Sequence, residues 1–254
     1  MHQFGRTVAG QTKAGRDLNL NRFAAIADIH GNSWALEAVL ADIEHRGIRT
    51  VVNLGDHLFG PLDPDGTAAM LMRQNPITIS GNQDRELLEP GCAQVITAEQ
   101  RAWLSAMPAS LLLPDVLLFH GTPRSDMEYL TETVLPAGVR LGTEKEVASR
   151  LAGTELPGLL LCGHTHIPRV VASGERLIVN PGSVGLQAYK DDVPYPHVME
   201  TGSPHARYAI LEKTDAGWNV EQIQLRYDWH SASLQSGSNG RIDWAYRLTT
   251  GRAR

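Results

Sequence analysis

The chain has 254 residues, 42% hydrophobic and 20% charged, with a net charge of −5 at neutral pH. That is globular composition, and the length fits one α/β domain. The acidic balance argues against a protein that coats long nucleic acid, whose surface would be basic. No run of about 18 apolar residues is present, so no membrane span is expected. Two cysteines, Cys92 and Cys162, are too few for a disulfide framework, and Cys162 ends an apolar run as a buried core thiol would. Both points fit a cytoplasmic location. Residues 1–21 are polar, lack the apolar core of a secretion signal and predict a disordered N-terminal extension. A single domain is expected over residues 22–254.

Phe23 to Ile29 reads as a buried strand interrupted only by Asp28. From Ser33 the apolar positions Leu36, Val39, Leu40 and Ile43 share a helical face, and Gly47 ends that helix. Ile48–Leu54 predicts the second strand, followed by a proline- and glycine-bearing loop and a helix to about Asn75. Ile77–Ser80 predicts the third. This strand–helix alternation implies parallel pairing with right-handed crossovers. Thr97-Ala98-Glu99-Gln100 and Thr143-Glu144-Lys145-Glu146 are capping boxes, each opening a short helix.

Hairpins are expected over 109–119, 169–179 and 208–225, with a strand at Leu159–Cys162 between the first two. The tail from Asp228 predicts two helical pieces broken at 237–240. Residues 121–142 show no periodicity, and 186–207 form a long irregular stretch with three prolines. Both segments are expected to serve as cap or lid, because long loops in compact domains are often functional.

Five short motifs each follow an apolar run: Asp28-Ile29-His30-Gly31-Asn32, Gly55-Asp56, Gly81-Asn82-Gln83-Asp84, His120-Gly121 and Gly163-His164-Thr165-His166. They bring metal-ligating side chains to the carboxyl ends of strands, where active sites of open α/β sheets collect. Seven ligands result: Asp28, His30, Asp56, Asn82, His120, His164 and His166. That is too many for one tetrahedral zinc and right for two metals sharing a carboxylate, with Asp56 the expected bridge.

The motif order, extended by Asn180-Pro181-Gly182-Ser183, resembles the calcineurin-like metallophosphoesterase superfamily, and within it the compact bacterial and archaeal phosphodiesterase branch. The resemblance implies an α/β fold, an αββα sandwich of two mixed β-sheets flanked by helices, with the dimetal site at the carboxyl ends of the strands. It implies a first metal on Asp28, His30, Asp56 and His166, and a second on Asp56, Asn82, His120 and His164. The cofactors are then two divalent ions, manganese first, with iron, zinc, nickel and cobalt as alternatives. The implied chemistry is in-line attack of a metal-bridging hydroxide on a small phosphodiester or nucleotide. A phosphomonoesterase or dinucleoside polyphosphate hydrolase on the same site is the alternative. A non-catalytic scaffold of the same fold is a third reading, against which the seven intact positions speak.

One position departs from the family pattern. Many members carry histidine where this chain has Gln83, and glutamine cannot deliver a proton to a leaving group. His57, beside Asp56, is the expected substitute as catalytic acid, with His197 and His205 as rivals. Asn32 and Arg85 are expected to reach the phosphate, with a structural role as the equal alternative for each. Asp84 is expected to orient ligands, and Tyr189 and Tyr195 to stack on a base or pack on the surface. No motif names the natural substrate or the oligomeric state.

Overall fold

The computed structural model describes residues 20–153 and 156–254, so most of the expected N-terminal extension, residues 1–19, lies outside the described residues. Two five-stranded mixed sheets stack face to face. In the first, β1 (Arg22–Ile26) is flanked by parallel β2 (Val51–Asn53), which pairs with parallel β3 (Ile77–Thr78). On its other side lie antiparallel β13 (Ala206–Thr214) and then β14 (Gly217–Leu225). In the second sheet β8 (Leu159–Leu161) is central, with parallel β5 (Val116–Phe119) and β10 (Arg176–Asn180). Antiparallel β4 (Ser110–Leu112) and β9 (Arg169–Ser173) close its edges.

The central strands read as continuous apolar runs because both of their faces are covered. Phe23, Ala25 and Ala27 point between the sheets, against Val116, Leu118, Leu159 and Leu161. Ala24 and Ile26 point outward to Leu36, Val39 and Ile43 of α1 (Ser33–His45) and to Trp244 and Leu248 of α7 (Ile242–Thr250). α6 (Trp229–Ser238) packs against α7. On the far side, Leu117, Phe119 and Leu160 meet Val147 and Leu151 of α5 (Glu144–Leu151). This is the expected αββα order. Burying each such large side chain contributes roughly 1.5–3 kcal/mol.

α2 (Pro64–Gln74) and α4 (Ala98–Ser105) also form where expected, and the Thr97 and Thr143 capping boxes close as predicted, each with its N3 side chain returning to the cap. Three segments differ from expectation. α3 (Asn82–Leu88) begins on a candidate ligand. Its cap is unusual: Asp84 accepts from the Gly81 N–H at 2.8 Å. Residues 121–142 contain a hairpin, β6 (Glu132–Leu135) with β7 (Gly138–Leu141). The stretch 186–207, read as irregular, contains another, β11 (Ala188–Asp191) with β12 (His197–Glu200). β12 lies against β7, so each short hairpin gains in the other a surface it could not bury alone.

Candidate metal centre

The loops after β1, β2 and β3 face the loops after β5 and β8 across one end of the sandwich. Asp28, Asp56, His30, His120, His164 and His166 are all buried there. Their backbones are exceptional. Six non-glycine residues among those described have positive φ, and five are Asp28, His30, Asp56, His164 and His166, at +53° to +69°. Each such residue is strained by about 1–3 kcal/mol and persists only where its surroundings over-determine it.

Those surroundings are visible. The Ile29 and His30 N–H groups both donate to the Asp56 carbonyl, and the Asp28 N–H donates to Gly55. From the second sheet the Val184 N–H donates to the Ala27 carbonyl and Gly185 N–H to that of Asp28. The Ser183 hydroxyl donates to the Asp28 carbonyl at 2.7 Å and accepts from the Leu186 N–H at 2.8 Å. The Asn180 amide donates to the Gly163 carbonyl at 2.7 Å. So Asn180-Pro181-Gly182-Ser183 is a latch holding both the Asp28 and the His164 loops. Close approach also demands glycine at two points. A Cβ on Gly81 would lie 2.1 Å from the Asp56 carboxylate, and one on Gly185 would lie 1.7 Å from the Ile29 carbonyl oxygen.

Backbone carbonyls fix the tautomers, since a carbonyl can only accept. Nδ1–H of His30, His120 and His166 donates to the carbonyls of Phe59, Leu54 and Leu186, at 3.2, 2.7 and 2.5 Å. That leaves Nε2 of His30 and His166 as the ligating nitrogen, whereas His120 Nε2 faces the acceptor oxygens of Asn82 and Asp56 and is free to ligate once it gives up its proton. His164 is reversed: its Nε2–H donates to the Met127 carbonyl at 3.1 Å, leaving Nδ1.

Ligand atoms of Asp28, His30 and His166 converge within 4.8 Å of one another, and so do those of Asp28, Asp56 and His120. Asp28 is thus shared by both triads, a place the sequence reading gave to Asp56. The Asn82 side-chain oxygen, Oδ1, stands 3.1 Å from His120 Nε2, at the edge of the second triad. The His164 ring lies 5.1 Å from that of His120.

The donors fit cations. His30 Nε2 and His166 Nε2 face each other at 3.0 Å, although the assigned tautomers put a lone pair on each. Asp28 Oδ2 is buried without a partner. With Asp28 Oδ1 3.5 Å from His166 Nε2, two facing lone pairs and a buried carboxylate with one unpartnered oxygen are costly unless a positive charge sits among them. Electrostatics agree. Burial pushes the Asp28 carboxyl up to about 8 against the pull of His120. Burial also acts to raise Asp56, but the charge and hydrogen bond of His120 hold it below the ordinary carboxylate range. Burial would lower His120, yet Asp56 and Asp28 bring it up to about 10. Burial, followed by His120, lowers His164 to about 4, and burial with the nearby His30 lowers His166.

Other expected site residues are placed elsewhere. His57 does not face the centre: its Nδ1 contacts Asp84 at 2.7 Å, its Nε2 contacts Thr78 Oγ1 at 2.9 Å, and it is fully buried. The left-handed turn at Asp56 sends the next side chain the other way, so this placement does not fit a proton donor. Asn32 accepts from the Ala35 N–H as cap of α1 and donates to Gly185 O and Tyr227 Oη, which leaves nothing for a phosphate. Arg85 makes a two-pronged pair with Asp126, at 2.9 and 3.1 Å. Asp84 accepts from the N–H groups of Asp56, His57 and Gly81, and so shapes the Asp56 loop. Gln83 donates its N–H to Asp56 Oδ1 at 2.9 Å.

Among the rival donors, His205 lies tilted against Trp229, and His197 is buried with Nδ1 on the Tyr195 carbonyl and Nε2 on the Tyr129 hydroxyl. The Tyr189 ring stands edge-on to His166 at 4.6 Å, its hydroxyl 2.7 Å from that of Tyr129, so it is engaged rather than open to a base. Tyr129 was not singled out in the sequence; no motif marks it.

Residues 22–201 match the family model of the calcineurin-like phosphoesterase superfamily domain. The chain is 25% identical over 256 residues to an uncharacterized protein of Methanocaldococcus jannaschii, covering 90% of this chain and 98% of that one. A metallophosphoesterase from Sphaerobacter thermophilus shares the fold with a TM-score of 0.73 at 24% identity, over 92% of this chain and 100% of that one. A hypothetical protein from Pyrococcus horikoshii OT3 does so at 0.70 and 17% identity, over 92% and 99%. No helix among the described residues is long and apolar enough to cross a membrane. With the motif order, the sandwich and the family match in agreement, the chain belongs to the calcineurin-like phosphoesterase superfamily, a hydrolase family that uses a dinuclear divalent metal site.

Proposed function

We propose that this chain is a dimetal-dependent phosphodiesterase acting on a small phosphodiester or nucleotide. The observation that carries the reading is the convergence of His30 Nε2 and His166 Nε2 at 3.0 Å, with Asp28 Oδ1 3.5 Å from His166 Nε2. Asp28, His30 and His166 would hold one cation, and Asp56, Asn82, His120 and His164 the other, with Asp28 or Asp56 between them. Bound there, two divalent ions, manganese foremost, neutralise phosphate oxygens and acidify a water at neutral pH.

The chain's own groups define the rest. Low proton affinity at His30, His164 and His166 keeps these imidazoles neutral and ligating near pH 7. With glutamine at position 83 and His57 sealed behind Asp84, neither offers a proton to the leaving oxygen. Substrates whose leaving oxygen tolerates poor protonation, such as nucleotides and aryl esters, are therefore favoured. The hairpins of 121–142 and 186–207 would read the remainder of the substrate.

The test is metal analysis paired with turnover of bis-p-nitrophenyl phosphate and p-nitrophenyl phosphate in manganese. About two metals per chain, a preference for the diester and its loss in Asp56→Asn are expected. A monoester preference would replace the phosphodiesterase reading with a phosphatase one. Neither metal nor turnover would defeat both.

A further inference from the structure

The four imidazoles are not held alike. The carbonyls of Leu54 and Leu186, which orient His120 and His166, belong to buried residues, and that of Phe59, which orients His30, to a partly buried one. His164 leans on the carbonyl of Met127, a residue 56% exposed. The turn around Met127 is mostly tied to itself. The Thr122 N–H donates to Ser125 O, the Thr122 hydroxyl to Glu128 and the Met127 N–H to Ser125 Oγ. Besides a long contact from Arg124 to Ser149 O at 3.4 Å, its charged anchor is Asp126, gripped by Arg85 through Nε and Nη2, while Tyr129 just beyond the turn is held by Tyr189 and His197.

Arg85 sits on α3, one turn after Asn82, so the two share a helix face. We infer that Arg85 is a positioning residue for the second metal position: through Asp126 it fixes the Met127 carbonyl, and thereby the orientation of His164, relative to Asn82 on its own helix. The strap joins, from outside, two candidate ligands that different elements carry. This inference rests on the dimetal reading and deepens it.

The pair's exposure separates position from stability. Its side chains are 51% and 28% exposed, and an exposed ion pair contributes only about 0–1 kcal/mol to folding. Losing a group that orients a ligand costs far more in metal affinity, about 10–100-fold. Arg85→Ala should therefore weaken one metal about 10-fold, leave the other unchanged and barely move the melting temperature.

The experiment is manganese binding to metal-free protein by equilibrium dialysis with elemental analysis, alongside thermal melts. Wild type should bind two manganese ions. Arg85→Ala and Arg85→Asp should each weaken one of them, and Arg85→Asp combined with Asp126→Arg should restore it, because the reversed pair rebuilds the strap. Wild-type binding at both positions in Arg85→Ala, or equal weakening at both, overturns the inference while the dimetal reading stands. No manganese bound by wild type overturns both.

Discussion

The two sheets contribute unlike halves of one site. Loops of the first carry every candidate oxygen ligand, Asp28, Asp56 and Asn82, with a single imidazole, His30. Loops of the second carry His120, His164 and His166 and no candidate oxygen ligand. The acidic half is buried and is balanced from across the seam: His120 lies 3.4 Å from Asp56, and the His164 N–H donates to Asp28. Neither half is electrostatically complete alone, so the site is a property of sheet docking rather than of either sheet.

The sharpest way to probe that asymmetry is Asp28→Asn. We expect the metal affinity to fall at least ~100-fold, more than for an orienting partner, because both triads lose a shared ligand. The metal-free protein should by contrast become more stable near neutral pH. Asp28 there holds its proton up to about 8, whereas the unfolded chain releases it near 3.8. Wild-type metal-free stability should consequently fall as pH rises from about 4 toward 8, and Asp28→Asn should remove that component of the slope. Thermal melts across pH, with and without chelator, read both effects. An unchanged metal content would break the comparison at its centre.

Gly185→Ala attacks the seam sterically. Its Cβ would meet the Ile29 backbone carbonyl at 1.7 Å, with the buried Asn32 Cβ at 2.9 Å. A loss of ~3 kcal/mol in urea unfolding is expected. Ser183→Ala is milder, removing the hydroxyl that bridges Asp28 O and Leu186 N–H, and should cost ~1–3 kcal/mol while lowering metal affinity. Thr97→Ala is the contrast. It uncaps α4 away from the seam and should cost ~1 kcal/mol with manganese binding unchanged. If Thr97→Ala altered metal binding as much as Ser183→Ala, the seam would hold no special place.

Most of the sandwich was legible because its signals are local. Two capping boxes, the apolar runs and the hairpin turns each act within a few residues. The candidate ligands were legible because each follows a buried strand in a motif of fixed order. His57 was misjudged for a physical reason: adjacency to Asp56 in sequence means nothing across a left-handed residue, which reverses the direction of the next side chain. Asn32 carried its own signal, an asparagine immediately before the first helical residue, and capping takes its oxygen. α3 was hidden because a seven-residue helix gives little periodicity and its cap is a glycine backbone N–H returning to Asp84. The paired cap hairpins were hidden because their burial depends on each other, and no window of sequence contains both. The Met127 carbonyl that orients His164 is backbone, and a sequence cannot mark it.

The left-handed residues at the centre also constrain how such a site can change. Outside glycine, left-handed backbone is best tolerated by aspartate, asparagine and histidine. Those are also the side chains that ligate divalent metals through oxygen and imidazole. At Asp28, His30, Asp56, His164 and His166 the chain therefore meets two filters at once, one of shape and one of chemistry, and the same short alphabet passes both. Glutamate or cysteine could in principle bind a metal at these points, but would do so from a backbone that suits them less well. A designer moving this centre into another scaffold would have to carry the bent loops with the ligands, because the ligands alone do not specify the geometry that makes them converge.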